Sequence, residues 1–298
     1  MNVAHAPPVR PVARLVVGCG YLGARVARRW LDAGDRVLGV TRRTARAAEL
    51  AAAGIEPVVA DVAAPADWWR GLPPLATALW AVGFDRASGA THHDVHVTGL
   101  RRLLDGLAAA ARRAAARPPR VILSSSTGVW GDEAGGIVDE ATPPRPARAS
   151  GRALVEAEDL LRSHPLGPGT ALRFAGLYGP GRLPRIDDLR AGRPITADPD
   201  SWLNLVHIDD AARAVCMVAA AASPRPLYVV SDGRPVRRRD WYGRLAELVG
   251  APSPAWDPAA PRERGADKRV NPALIARDLG FTPGHTDALV ALADLVSG

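Results

Sequence analysis

The chain has 298 residues, 47% hydrophobic and 23% charged, so it is long enough to bury a large core. The formal net charge of +7 would suit a nucleic-acid partner, but the arginines form only short runs, with no basic tail and no interleaved aromatic residues. No apolar stretch approaches the roughly 18 residues of a membrane-spanning helix, and residues 1–11 hold no apolar segment of signal-peptide length. Two cysteines do not make a disulfide framework. We therefore expect a cytoplasmic protein with no nucleic-acid partner and no membrane partner.

Segments typical of strands alternate with segments typical of helices through most of the chain. The expected strands are residues 14–17, 36–40, 55–60, 76–82, 121–124, 170–174 and 227–230, and the expected helices are residues 21–33, 44–53, 91–116, 151–163, 209–222, 271–279 and 286–296. Such alternation is typical of a parallel sheet covered by helices on both faces. The sequence therefore predicts an α/β fold with a doubly wound parallel sheet.

The pattern weakens after Phe174, where residues 180–199 and 252–261 are rich in glycine and proline. We expect residues 1–175, completed by residues 204–231, to form the sheet domain. Residues 176–203 and 232–298 are expected to form a smaller C-terminal lobe that binds a small-molecule substrate.

A G-x-G-x-x-G pattern stands between the first strand and the first helix. Gly18 permits a tight turn, Gly20 lets the backbone approach a pyrophosphate, and Gly23 lets the helix pack closely on the strand. The start of the helix supplies N–H groups to phosphates. This setting predicts a Rossmann fold that binds a dinucleotide. The residues expected to contact it here are Gly18, Gly20, Tyr21, Leu22 and Gly23.

The end of the second strand indicates which dinucleotide is preferred. It carries Arg42 and Arg43 and no acid, and guanidinium groups bind a 2′-phosphate that a carboxylate would repel. We therefore expect NADP(H) in preference to NAD(H), with solvated arginines at the next helix start as the alternative. Asp61 is placed either to accept from the adenine amino group or to cap the next turn. Further contacts are expected at the ends of the third, fourth and fifth strands, from Val62, Ala81, Val82 and Ser124.

Later segments carry a family resemblance. Residues 121–132 (VILSSSTGVWGD), 139–144 (DEATPP), 172–181 (LRFAGLYGPG) and 204–212 (NLVHIDDAA) occur in the order found in extended short-chain dehydrogenases/reductases. The chain therefore resembles the NAD(P)-dependent epimerase/dehydratase family, and within it the atypical YeeZ-like branch. The resemblance implies a homodimer through helices 91–116 and 151–163.

In that family a Ser/Thr, a Tyr and a Lys carry the chemistry, the last two spaced Y-x-x-x-K on one helix. Ser126 matches the serine, but Ser150 stands at the tyrosine position and Leu154 at the lysine position. A serine hydroxyl without a neighbouring cation cannot replace a phenol of lowered pKa. The departure puts the reaction in doubt, though not the binding of the dinucleotide.

Residues that could supply a relocated acid or base therefore join Ser126 and Ser150 as catalytic candidates. They are Tyr178 and His207, with His92, His93 and His96 as further possibilities. Tyr178 has simple packing as its alternative role. The alternative for His207 is to position the turn before Asp209, which we expect to cap a helix. No metal site is expected.

Two functions remain open from the sequence. One is an NAD(P)-dependent oxidoreductase or a nucleotide-sugar epimerase/dehydratase-like enzyme with an altered active site. The other is a non-catalytic NADP(H)-binding redox sensor that acts through a protein partner. We expect the cleft over the strand ends to be lined by Arg173, Tyr178, Arg182, Trp202, Asn204, Lys268 and Arg269. Of these, Arg182, Lys268 and Arg269 would suit an anionic substrate such as a nucleotide sugar, with plain surface charges as the alternative.

Overall fold

The computed structural model describes residues 12–167, 169–257 and 267–297. The segment of residues 1–11 and part of the proline-rich stretch 252–261 lie outside the described residues. The strands are β1 (Ala13–Val17), β2 (Arg36–Thr41), β3 (Glu56–Val59), β4 (Thr77–Trp80), β5 (Arg120–Ser126), β6 (Ile137–Val138), β7 (Thr170–Phe174), β8 (Gly176–Tyr178), β9 (Trp202–Leu203), β10 (Leu205–His207), β11 (Leu227–Val230), β12 (Val236–Arg237) and β13 (Arg269–Val270). The helices are α1 (Gly23–Asp32), α2 (Thr44–Ala52), α3 (Gly99–Ala114), α4 (Ala149–Ser163), α5 (Ile186–Arg190), α6 (Ile208–Ala220), α7 (Arg238–Leu248), α8 (Ala273–Leu279) and α9 (Ala288–Ser297).

The central sheet has seven strands in the order β11-β7-β5-β4-β1-β2-β3, and all neighbours are parallel. Successive residues of β1 are buried on opposite faces: Val16 packs with α1 and α6, whereas Leu15 and Val17 pack with α3 and α4. A strand buried on both faces reads as a continuous apolar run, as residues Leu15 to Val17 of β1 do. The doubly wound parallel sheet predicted from the sequence is confirmed.

The third predicted helix is not uniform. Residues Asp94–Thr98 form a π-helical turn that runs into α3. The apolar spacing of Leu100, Leu103 and Leu104 predicted the buried face correctly, and these three side chains are fully buried. The spacing of apolar residues indicates which face of a helix is buried, but not which carbonyl accepts from each backbone N–H. The sequence therefore did not predict the π-helical turn.

The smaller lobe has its own apolar cluster, in which Tyr178, Trp241 and Leu245 pack with residues of α5 and α9. Its short strands pair as β8–β10, β9–β12 and β6–β13. The β6–β13 pair is parallel and joins Arg269 to Ile137, so a late segment of the chain lies against the loop after β5. The chain boundaries between sheet domain and lobe stay a prediction. Among the described residues, no helix is both long and apolar enough to cross a bilayer.

Candidate functional site

Two cavities open at the carboxyl edge of the sheet, the edge at which parallel α/β sheets bind ligands. The first, the glycine-loop cavity, measures about 170 Å³ and lies at the ends of β1, β2, β3 and β4. The second, the serine cavity, measures about 570 Å³ and lies at the ends of β5 and β7, under the smaller lobe. The glycine-loop cavity is lined by the predicted residues Gly18, Gly20, Arg42, Arg43, Asp61, Val62 and Val82, among others. The serine cavity is lined by Ser126, Ser150, Trp202, Asn204, Arg238 and Lys268, with further residues of the turn after β5.

The glycine loop has the geometry that its spacing requires. Gly18 has a φ of +94°, and a Cβ there would lie 2.6 Å from the carbonyl oxygen of Ala81. A Cβ on Gly23 would overlap the carbonyl oxygen of Gly18. Around Gly20, in contrast, a Cβ would meet nothing within 4 Å. The loop is therefore closed against the protein on two sides and open at Gly20, which fits the close approach of a dinucleotide phosphate.

The start of α1 is available to an anion. Its N-cap residue, Leu22, makes no side-chain cap hydrogen bond. The N–H groups of Ala24 and Arg25 donate to Gly20 O and Leu22 O, so the part of the helix start that can meet an anion is the turn before Ala24. The Leu22 side chain is buried. Tyr21 does not line the cavity. The centroid of its ring lies 4.4 Å from Cζ of Arg25 and 5.4 Å from Cζ of Arg182. Tyr21, Leu22 and Gly23 can therefore contribute backbone groups to this site.

The far end of the glycine-loop cavity holds charged groups of both signs. Arg42 Nη2 lies 2.7 Å from Asp85 Oδ2, and both residues line the cavity. Hydrogen bonds from Ala87 N–H and from Arg42 hold the pKa of Asp85 below its ordinary value. Arg43 occupies the N-cap position of α2, as the alternative for the arginines expects, and it also lines the cavity. Binding of a 2′-phosphate by Arg42 and Arg43 stays a prediction.

Asp61 caps the turn that follows it, because its Oδ1 accepts from Ala63 N–H at 2.9 Å. It also lines the cavity, and its contact with adenine stays a prediction. Sequence reasoning missed Asp85. The available signal was its place after the strand next to β1, which puts it at the same sheet edge. Ala81 and Ser124 line neither cavity; the carbonyl of Ala81 instead packs against Gly18.

In the serine cavity, Ser126 and Ser150 come together from different elements. Ser126 ends β5, and its Oγ accepts from Gly128 N–H at 3.0 Å. Ser150 is in the first turn of α4, which lies so close to the turn after β5 that a Cβ on Gly151 would be 2.7 Å from Gly128 O. Leu154, one turn further along α4, packs on the apolar cluster of Val129 and Trp130. The residue that the resemblance places at the lysine position thus makes an apolar contact.

Lys268 enters the serine cavity from the smaller lobe. It is the only lysine in the sequence, and it is 5% exposed. Its Nζ donates to Trp130 O at 3.1 Å and to Gly131 O at 3.4 Å. Burial, followed by the nearby Arg238 guanidinium, lowers the pKa of Lys268 to about 8. The sequence predicted Lys268 in the cleft as an anion-binding group, but not its burial in the cavity that Ser126 and Ser150 also line.

Other predicted cleft residues lie elsewhere. Arg173 is 4% exposed, and its Nη2 lies 2.7 Å from Glu158 Oε2, while Ser125 Oγ donates to Glu158 Oε1 at 2.5 Å. This buried pair joins β5, α4 and β7 beneath the cavity, so Arg173 supports the site from the core. Arg269 donates to Gly135 O at 2.9 Å, and neither Arg182 nor Arg269 lines the serine cavity.

Tyr178 and His207 form a separate cluster in which their ring centroids are 5.3 Å apart. Burial raises the pKa of Tyr178 further above its ordinary value, and Asp232 adds to that effect. The Nδ1 of His207 accepts from Asp209 N–H at 3.3 Å, so His207 caps α6 and the expected cap at Asp209 is wrong. Neither residue lines the two cavities, and their catalytic role stays a prediction.

Two further groups of histidines lie outside the glycine-loop cavity and the serine cavity. His92 stacks on Phe84 with centroids 3.6 Å apart, and burial lowers the pKa of His96 to about 4. His285 stacks on His207 and approaches Asp210 to 3.0 Å, so three groups with ligand atoms lie within 4.8 Å of one another. Asp210 already accepts from the N–H groups of Gly284 and His285 and from Arg213, donors that compete with a cation for its oxygens.

Three comparisons with known proteins agree with this architecture. Residues 14–231 match the model of the "NAD dependent epimerase/dehydratase family". Protein YeeZ of Escherichia coli strain K12 is 36% identical over 174 residues, which cover 58% of this chain and 61% of that relative. The chain therefore matches somewhat less than two thirds of the length of YeeZ.

Solved structures resemble nearly the whole chain. The structure of a functionally unknown conserved protein from Silicibacter pomeroyi DSS is 29% identical, with a TM-score of 0.75, and covers 96% of this chain and 98% of its own. A UDP-glucuronic acid 4-epimerase from Bacillus cereus, in complex with UDP-glucuronic acid and NAD, has a TM-score of 0.78 at 17% identity and covers 96% and 99%. The second likeness concerns the fold alone.

Proposed function

The chain belongs to the NAD-dependent epimerase/dehydratase family, and from that premise we propose that it is an oxidoreductase that uses NADP(H) on an anionic nucleotide sugar. The observation that carries this proposal is the placement of two cavities along one sheet edge, at the ends of neighbouring strands. The glycine-loop cavity would hold the adenosine and diphosphate, and the serine cavity would hold the reacting groups. The dinucleotide, when bound, supplies or accepts a hydride.

The residues of the glycine loop fit the dinucleotide through their backbone. Gly18 and Gly23 leave no space for a side chain, whereas Gly20 is open toward the cavity. The uncapped start of α1 would bind the diphosphate. These features suit NAD(H) and NADP(H) equally, so the choice between them rests on the adenosine end.

At the adenosine end, Arg42 and Arg43 favour the 2′-phosphate of NADP(H), because guanidinium groups bind phosphate through paired hydrogen bonds. Asp85 opposes this preference, since its carboxylate already pairs with Arg42. We propose that the two arginines outweigh the single carboxylate.

Titration calorimetry of NADPH and NADH against the native protein and the Arg42→Met/Arg43→Met variant tests the choice. The variant should lose NADPH affinity by about tenfold or more and keep its NADH affinity; equal losses for both would contradict NADP(H) preference.

The charge of the serine cavity supports an anionic substrate. Lys268, Arg238 and Arg148 line it, with Asp132 as an opposing carboxylate. The epimerase from Bacillus cereus that shares this fold was solved with UDP-glucuronic acid. We therefore use UDP-glucose and UDP-glucuronic acid as probes, each with NADP⁺ and with NAD⁺.

The activity test follows reduced nucleotide at its absorbance maximum. Turnover of either probe, or reduction of a carbonyl compound with NADPH, supports an oxidoreductase. Coenzyme binding without turnover across such a panel contradicts it.

We also propose that the protein is a homodimer through α3 and α4, which size-exclusion chromatography with light scattering tests. Fractionation of cells tests our proposed cytoplasmic location.

A second function is favoured by the apolar contact of Leu154 and by the serine at position 150, which together replace the family's Tyr-Lys dyad. The protein would then bind NADP(H) without consuming it and report the redox state to a protein partner. NADPH binding without turnover, together with a partner retained only in the presence of one redox form, would support this role. A partner retained equally with both forms, or none at all, would contradict it.

A further inference from the structure

Lys268 is a buried lysine that lines a cavity at the carboxyl edge of the sheet. The β6–β13 pair carries it from the smaller lobe into the serine cavity, beside the turn that follows Ser126. Within the described residues, the partners of its Nζ are two backbone carbonyls, those of Trp130 and Gly131, and no ion pair joins it to a carboxylate. An ammonium has three N–H donors, and two carbonyls use two of them. One donor is left for a group within the cavity.

We propose that Lys268 is the proton donor and acceptor for the reaction in the serine cavity. This inference rests on the proposed oxidoreductase function. It assigns to Lys268 the proton transfer that the family gives to the tyrosine replaced here by Ser150. Ser126 and Ser150 then act as hydrogen-bonding groups that hold the substrate oxygen.

The charges around Lys268 come from several elements. Arg238 at the start of α7 and Arg148 before α4 disfavour the ammonium, whereas Asp132 and Glu133 in the loop after β5 favour it. Burial is the largest influence, and the balance leaves the pKa of the amine at about 8. An acid–base group works best when its pKa lies near the operating pH, because both protonation states are then accessible.

The proton transfer balances in both directions. In reduction of a carbonyl, an N–H bond of Lys268 breaks and its electron pair stays on Nζ, while an O–H bond forms on the substrate oxygen. The carbonyl carbon gains a C–H bond with the hydride that NADPH supplies. In oxidation of an alcohol, the neutral Nζ takes the hydroxyl proton as the hydride leaves for NADP⁺. Solvent then restores the protonation state of Nζ.

If Lys268 had a purely structural role, its hydrogen bonds to the carbonyls of Trp130 and Gly131 would hold that turn in place. Two variants separate the roles. Lys268→Arg keeps a cation and its N–H donors, but an arginine does not release a proton in the accessible pH range. This variant should therefore still bind the carbonyls of the turn and should lose the proton transfer. Lys268→Met removes both. Arg244→Met, which removes an exposed arginine of α7 paired with Glu247, serves as the matched control.

The first measurement does not depend on activity. With lysine labelled at Cε by ¹³C, the native protein gives one lysine signal, because the sequence has one lysine. We expect this signal to titrate with a midpoint near 8 and to shift when UDP-glucuronic acid is added to the NADP⁺-loaded protein. A midpoint at the ordinary value of about 10.4, or a signal unaffected by the probe, would overturn the assignment.

The second measurement is kinetic. Lys268→Met and Lys268→Arg should both lower kcat by roughly 10²-fold to 10⁴-fold, the range for general acid–base catalysis. Both should keep the NADPH affinity of the native protein. If Lys268→Arg restores kcat, the lysine only fastens the turn and the assignment fails while the oxidoreductase function stands. If the native protein turns over no probe, the oxidoreductase function fails and the proton-transfer role fails with it.

Discussion

The glycine-loop cavity and the serine cavity share one edge of the sheet but are built from different groups. The first is shaped mainly by backbone: Gly18 and Gly23 exclude side chains, and the start of α1 offers N–H groups. The second is shaped by side chains that arrive from β5, α4, α7 and the segment before β13. Backbone sites depend on local spacing, whereas side-chain sites depend on tertiary contacts. This difference fits the prediction that the chain keeps a coenzyme loop while its reaction end departs from the family pattern.

The largest expected effect concerns the support beneath the serine cavity. Arg173→Met leaves the Glu158 carboxylate buried without its partner, which should lower the free energy of unfolding by about 3 to 5 kcal/mol. Thermal and urea unfolding measure the change. Arg36→Met breaks the exposed pair of Arg36 with Glu56 and should leave stability nearly unchanged. Equal stability of the two variants would contradict the view that a buried ion pair holds β5, α4 and β7 together.

Asp232, a buried carboxylate of the smaller lobe, should make the stability of the protein depend on pH. Burial raises the pKa of Asp232 to about 7, and its Oδ2 has no partner among the described residues. The folded protein therefore keeps a proton that the unfolded chain has lost, so Asp232 lowers stability as pH rises from about 4 to about 7. Asp232→Asn should make unfolding less sensitive to pH and raise the Tm above pH 7. The exposed Asp240→Asn is the control, and parallel pH profiles for both variants would contradict this account.

The backbone character of the glycine-loop cavity predicts a selective effect at Gly20. A methyl group there meets no protein atom within 4 Å, so Gly20→Ala should keep the Tm of the native protein. The methyl would occupy space that a phosphate needs, and we expect dinucleotide affinity to fall by about tenfold or more, which is at least about 1.4 kcal/mol. Calorimetric titration measures the loss. Gly243→Ala, on α7 and equally free of contacts, should bind as the native protein does. Unchanged affinity in Gly20→Ala would place the diphosphate elsewhere.

The smallest expected effect concerns the carboxylate that pairs with Arg42. Asp85→Asn removes the charge that competes with a 2′-phosphate and should raise NADPH affinity a few-fold, with NADH affinity unchanged. Asp159→Asn, which alters an exposed pair with Arg162 on α4, is the control. A loss of NADPH affinity in Asp85→Asn would mean that Asp85 orients Arg42 for binding and does not oppose it.

The same contrast explains what the sequence could predict. The seven parallel strands and the glycine loop followed from apolar runs and from spacing within a few residues, and these are local signals. The burial of Lys268 against the turn after β5 depends on the β6–β13 pair, whose strands of two residues carry no periodic pattern. Arg173 was expected in the cleft and lies in the core, because nothing local indicates that Glu158 faces it from α4. The roles assigned to individual site residues stay predictions.

A crystal structure of the protein with NADP⁺ tests the central claim most directly. We expect the diphosphate at the start of α1, the 2′-phosphate within hydrogen-bond distance of Arg42 or Arg43, and the nicotinamide in the serine cavity beside Ser126 and Lys268. A dinucleotide bound outside the glycine loop, or a nicotinamide ring that lies away from the serine cavity, would contradict the account.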